Sequence, residues 1–120
     1  MIISTAARNA LADAFDALFT AGSDLVLRTA GNVAVATIGL PNPAFGAASS
    51  GTIQVGTVTP DTNAAGGTVS NAVLRDGSDV IHGTLSVGTA GAEVIMSSLT
   101  VSPGSTVTLT ALTVTMPTGA

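Results

Sequence analysis

The 120-residue chain carries only 8% charged residues, against roughly 25% in an ordinary soluble domain, with no lysine and a net charge of −4. That balance, with a pI of about 4.3, leaves no basic patch to grip phosphates and argues against nucleic-acid binding. Cysteine is absent, so neither a disulfide framework nor a thiolate metal site can be built.

The length suits a single domain, 1–120, with one core. A small β-rich domain without disulfides or metals often leans on oligomer partners. Mean hydropathy is high (+0.60), yet no window holds about 18 uninterrupted apolar residues, so no membrane span is expected. Arg8, Asp13 and Asp16 interrupt the N-terminal apolar stretch and make it a poor signal peptide; synthesis in the cytoplasm is expected.

Residues 4–20 read as one amphipathic helix. Ser4 or Thr5 can cap it. Leu11, Phe15, Leu18 and Phe19 recur at i, i+4, i+7 and i+8 to form an apolar stripe. Arg8, Asn9, Asp13 and Asp16 fall largely outside that stripe, on the face expected to be solvated. Gly22 is placed to end the helix in a left-handed C′ position.

Beyond Gly22 the pattern alternates, as a β-domain over 24–116 would. Expected strands are Asp24–Arg28, Asn32–Leu40, Thr52–Thr59, Thr68–Arg75, Asp79–Val87, Glu93–Val101 and Thr106–Met116, all rich in Val and Thr. Asp76-Gly77-Ser78 signals a hairpin turn. Ser102-Pro103-Gly104-Ser105 signals another turn. Within two strands the apolar face switches, from Val94 and Met96 to Leu99 and Val101, and from Val107 and Leu109 to Leu112, Val114 and Met116. Such a switch marks a β-bulge or a strand leaving one sheet for another. The expected fold is mainly β, an antiparallel sandwich or jelly-roll-like domain preceded by one helix. A β-solenoid competes, but no fixed repeat length is present.

Residues that could carry chemistry are few, and no cofactor is implied. His82, the single histidine, belongs to no catalytic motif and reads as a surface or interface residue satisfied by a backbone partner. Asp76, Ser78 and Asp79 fall short of the about 6–8 oxygens that calcium requires, and read instead as an Asx-type turn. Arg8, Arg28 and Arg75 have seven carboxylates available, so internal salt bridges are the default. The sharper alternative is an inter-subunit clamp. Phe45 either closes the domain's own core or anchors in a neighbour. Candidate interface residues are therefore Arg8, Leu11, Phe15, Phe19, Arg28, Phe45 and Arg75.

Four segments carry a resemblance. Ser4-Thr5-Ala6-Ala7-Arg8-Asn9-Ala10, leading to Ala21-Gly22, is followed by Asn42-Pro43-Ala44-Phe45-Gly46-Ala47-Ala48. Then come Asp79-Val80-Ile81-His82-Gly83-Thr84-Leu85-Ser86-Val87-Gly88 and Leu99-Thr100-Val101-Ser102-Pro103-Gly104-Ser105-Thr106-Val107. In this order they resemble small virion structural proteins of tailed bacteriophages, of head-decoration or tail-associated type. The Thr/Pro-rich hairpin usual in that group is shortened here to Thr29-Ala30-Gly31-Asn32.

The resemblance implies a virion structural role and brings no catalytic residue. The expectation is a head decoration or cement protein and no enzyme, partnered by the major capsid protein or other virion proteins. A homo-oligomer, with a trimer favoured, is part of that expectation. The alternatives are a tail, neck or baseplate component, and a glycan-binding fibre or adhesin module. Lack of Trp and Tyr weakens the last.

Overall fold

The computed structural model describes residues 1–118. Helix α1 (Thr5–Asp16) is capped by Ser4, whose Oγ accepts from the Ala7 N–H at 3.2 Å. It ends four residues before the expected stop at 20. Leu18 and Phe19 instead fold back onto the carbonyls of Phe15 and Asp16, at 3.1 and 3.0 Å. These tighter turns carry Phe19 into the core, where it is 2% exposed. Gly22 does adopt a positive φ of 88°, but in the turn that enters the first strand and not at the helix end.

Nine strands follow among the described residues: β1 (Asp24–Arg28), β2 (Ala34–Gly39), β3 (Thr52–Gln54), β4 (Gly67–Thr68), β5 (Asn71–Arg75), β6 (Ile81–Gly88), β7 (Val94–Ile95), β8 (Thr100–Val101) and β9 (Ala111–Thr115). Seven form one sheet in the order β2-β1-β5-β6-β7-β9-β3, and β4 pairs with β8 in a separate ribbon. The extra strands arise because two expected strands each divide. Thr68–Arg75 breaks at Val69-Ser70. Glu93–Val101 leaves the large sheet after Ile95 and re-forms in the ribbon at Thr100. The switch of apolar face there marks a change of sheet.

The large sheet is mixed, where a wholly antiparallel one was expected. β6 and β7 run parallel through Val87↔Val94 and Gly88↔Ile95. Parallel neighbours ordinarily need a long crossover. This pairing covers only two residues of each strand, so a short connection has to return the chain by only ~7 Å. Strands β3 and β9 are shorter than expected. Val55 turns away to bridge Phe45, and Val107, ahead of β9, bridges Asp61.

The two ends of the sheet are tied together. Thr59, downstream of β3, exchanges two hydrogen bonds with Gly39 at the end of β2, at 3.0 and 2.8 Å. Asp61 Oδ2 then accepts from the Thr37 N–H at 2.9 Å, and the Val35 carbonyl accepts from Ala65 and Gly66. The outer edge of β2 is thereby occupied, which blocks strand addition there.

The core gathers Phe19, Phe45, Leu25, Leu27, Val35, Ile38, Ile53, Leu74, Val94 and Leu112. Central strands β1 and β5 are buried at three successive positions each, so their sequences do not alternate. Val26 and Val73 pair on the face opposite the core. They are flanked in register by Asp24↔Arg75 and Arg28↔Asn71.

Candidate functional site

The sequence holds seven carboxylates, and each has a partner within the chain. Five accept hydrogen bonds from backbone N–H groups: Asp13 from Ala48, Asp16 from Phe45, Asp61 from Thr37 and Asn63, Asp76 from Ser78 and Val80, and Glu93 from Ser86. Asp24 takes a two-pronged bond from Arg75, with both N···O distances 2.7 Å, and Asp79 lies 3.6 Å from the same guanidinium. Asp24 beside it holds the Arg75 guanidinium above the ordinary arginine range.

Because backbone donors take most carboxylates, two of the three arginines pair elsewhere. Arg8 donates through Nε and one terminal nitrogen to the Met116 carbonyl, at 3.2 and 3.0 Å. Arg28 Nε donates to the Asn71 amide oxygen at 2.9 Å. The expected carboxylate partner is thus found for Arg75 alone among the described residues.

Helix α1 is turned differently from its apolar stripe. Ala12 is fully buried, Phe19 nearly so and Phe15 partly, while Leu11 and Leu18 point outward at 48% and 44% exposure. Asn9, Asp13 and Asp16, assigned to the solvated face by sequence, dock the helix onto the loop after Pro43. Phe45 N–H donates to Asp16 Oδ1 at 3.0 Å, Ala48 N–H to Asp13 Oδ1 at 3.2 Å, and Gly51 N–H to Asn9 Oδ1 at 2.7 Å. The signal was present in sequence: i, i+4, i+7 is the spacing of one helix face for acceptors as much as for leucines. What sequence could not supply was a loop with three unpaired N–H groups beside it.

Phe45 takes the first of its two alternatives. It is 3% exposed and meets Phe19 edge-on at 5.9 Å, in a chain of rings completed by Phe15 and His82. Phe19 and Phe45 therefore belong to this chain's own core and offer no surface to a partner. Of the seven interface candidates, Leu11 is the one largely exposed hydrophobic residue.

His82 pairs with a side chain, where a backbone partner was expected: its Nε2 lies 2.8 Å from Asp76 Oδ2. Asp76 Oδ1 closes the hairpin turn on Ser78 and Val80, which realises the Asx-type turn. The His82 hydrogen bond, with those backbone donors behind it, holds the Asp76 carboxyl below the usual carboxylate range. Gly77 packs on the Ala21 carbonyl where a Cβ would collide, which fixes the turn against the segment after α1.

Four surface depressions are lined by no Asp, Glu, His or Arg side chain. Among the described residues, no three His, Cys, Asp or Glu lie together as a metal site. No helix among them is long and apolar enough to cross a membrane. The exposed large hydrophobics are Met1, Ile2, Leu11, Leu18, Val33, Val80 and Ile81. Met1, Ile2 and Leu11 line one shallow depression with Ile3, Ser4, Ala7 and Ala10. The chain matches no protein-family model, no curated protein and no solved structure.

Proposed function

We propose that the protein is a structural component of a tailed-phage virion, a head decoration or cement protein that binds the capsid exterior and bridges its subunits. The observation that carries this reading is the internal pairing of the charges. All seven carboxylates and all three arginines have partners within the chain, and apart from the exposed Asp13 and Asp79 the surface is mostly Ala, Val, Thr, Ser and Gly with scattered large hydrophobics. Such a surface loses little solvation energy on docking. The order of the segments that resemble virion proteins supports the same reading.

In this proposal the protein works by area and shape and is not an enzyme. An interface of about 800 Å² per partner, repeated over a lattice, stabilises the assembled shell because only that form is bound. Its partners are the major capsid protein or other virion proteins, and copies of itself in a symmetric cluster for which a trimer is the expectation. No nucleic acid, membrane or cofactor enters. The tie between Thr59 and Gly39 and the core shared by β2 and β9 support a sheet curled into a sandwich or jelly-roll-like shape, the finer part of the same proposal.

The test is co-sedimentation of purified protein with expanded heads, followed by a side-chain-resolution map of the particle. Binding at regular lattice positions is the expected result. Failure to sediment with heads, or density confined to neck or tail, would overturn the cement reading.

A further inference from the structure

The two sides of strand β6 are used unequally. From Ile81 to Ser86 it pairs with β5, but on its other side β7 takes only Val87 and Gly88. Hydrogen bonds at either end fix which main-chain groups face the open side. The Ser86 N–H donates to Glu93 Oε1 at 3.2 Å, away from β5, so alternation turns the Thr84 N–H and carbonyl the same way. At the other end the Asp76 N–H donates to the Val80 carbonyl at 3.0 Å. Arg75↔Ile81 is then the next, non-hydrogen-bonded pair, and the Ile81 main chain also faces outward. His82 is the extra residue of the bulge between them. Ile81 is 51% exposed, and Thr84 is exposed as well.

We infer that this open edge, Ile81–Leu85, pairs antiparallel with the same edge of a second copy of the chain about a two-fold axis. The complement of a row of extended main-chain groups is another strand, and that strand must itself have a free side. Both ends of the large sheet are closed. Thr59 occupies β2, and the loop before β3 occupies that strand: Gly46 N–H donates to the Gln54 carbonyl at 2.9 Å, and Ser49 and Thr52 exchange bonds at 3.0 and 2.9 Å. Among the described strands the longest stretch paired on one side alone is therefore Ile81–Leu85 itself.

Its limits fix the register. Glu93 on Ser86 closes one end and the Asp76 turn closes the other, so a partner strand can run beside only Ile81–Leu85. The two-fold sets Ile81 of each copy opposite Thr84 of the other, the two outward-facing positions, and completes two reciprocal pairs of N–H···O bonds. It also brings these β-branched side chains together on the sheet face that carries Val26 and Val73. The contact does not depend on the virion role.

The experiment is sedimentation velocity on the full chain over a concentration series, with circular dichroism to confirm that each variant folds. Thr84→Pro decides the pairing: it removes the edge-facing N–H while the bonds to β5 stay, and proline is tolerated at such positions of an edge strand. Wild-type protein is expected to form a pair that Thr84→Pro weakens by about tenfold or more, two main-chain bonds being lost in each pair. Thr84→Val, which keeps the N–H and the shape, should associate as wild type does. Should the proline variant fail to fold, Ile81→Lys, which sets a solvated charge on the edge, is expected to weaken pairing likewise. Wild-type mass in a folded Thr84→Pro or Ile81→Lys variant would overturn the inference, as would equal weakening by Thr84→Val. A single-chain wild type whose Thr84→Pro variant no longer sediments with heads would give the edge to a strand of a shell protein, refuting self-pairing while leaving the cement reading intact.

Discussion

Removing the carboxylate of Asp16 tests how α1 is held. Asp13 and Asp16 lie in the last turn of the helix, where the macrodipole disfavours negative charge by about 0.3–1 kcal/mol, and no basic residue there offsets it. Their tertiary bonds must exceed that cost. The Phe45 N–H that Asp16 accepts belongs to a residue only 3% exposed, so Asp16→Ala leaves a poorly solvated donor unpaired. Loss of a charge-assisted bond in such a place costs about 1.5–3 kcal/mol, and relief at the dipole brings the net to about 1–2.5 kcal/mol.

Asp16→Asn keeps the acceptor and removes the unfavourable charge, so it should cost less than about 0.5 kcal/mol. Asn9→Ala, which breaks a part-buried neutral bond of 2.7 Å, should cost about 1 kcal/mol. Asp13→Ala, at an exposed 3.2 Å bond, should cost less still. Urea unfolding monitored by circular dichroism gives the order directly, provided the m-value is unchanged so that midpoints report stability. Equal losses for Asp16→Asn and Asp16→Ala would refute the reasoning, since the acceptor would then not be what matters. Changes within about 0.5 kcal/mol for all three alanine variants would mean the helix is held by Ala12, Phe15 and Phe19 alone.

Phe19→Ala should cost about 3–5 kcal/mol in the same assay, because it empties the centre of three edge-on ring contacts; a loss below about 1 kcal/mol would show that the core collapses around the gap. Gly51→Ala should destabilise by at least about 1–2 kcal/mol, since Gly51 has φ +73° and a Cβ there would stand 2.7 Å from the Arg8 guanidinium; a neutral result would mean both the strain and the contact relax away. Asp76 should titrate below the ordinary aspartate value of about 3.9 when its carboxyl carbon is followed by NMR. A carboxyl whose folded pKa is depressed contributes stability that is fully present above the unfolded pKa and is lost as pH falls through the folded one. The Asp76 contribution should therefore begin to fall below about pH 4 and be lost only once the pH is under its lower folded value, with the NMR midpoint moved upward in His82→Phe. An unmoved midpoint would show that the backbone donors Ser78 and Val80 are sufficient.

Some features of this protein are local, and for these the sequence alone was enough. The cap at Ser4, strand β1 at Asp24–Arg28 and the Asx turn at Asp76 each depend on residues within a few positions of one another. The features that needed the tertiary structure involve groups distant in the chain. Leu11 and Asp13 carry opposite signals for burial, and hydrophobicity assigns the leucine inward. The fold reverses this because the loop at 45–51 presents N–H groups that only a helix-borne acceptor satisfies, and an unpaired donor there costs more than an exposed leucine. The parallel pairing of β6 with β7 and the departure of β8 into its own ribbon were also decided by chain closure, since alternation records which side of a strand is apolar but not which strand lies beside it.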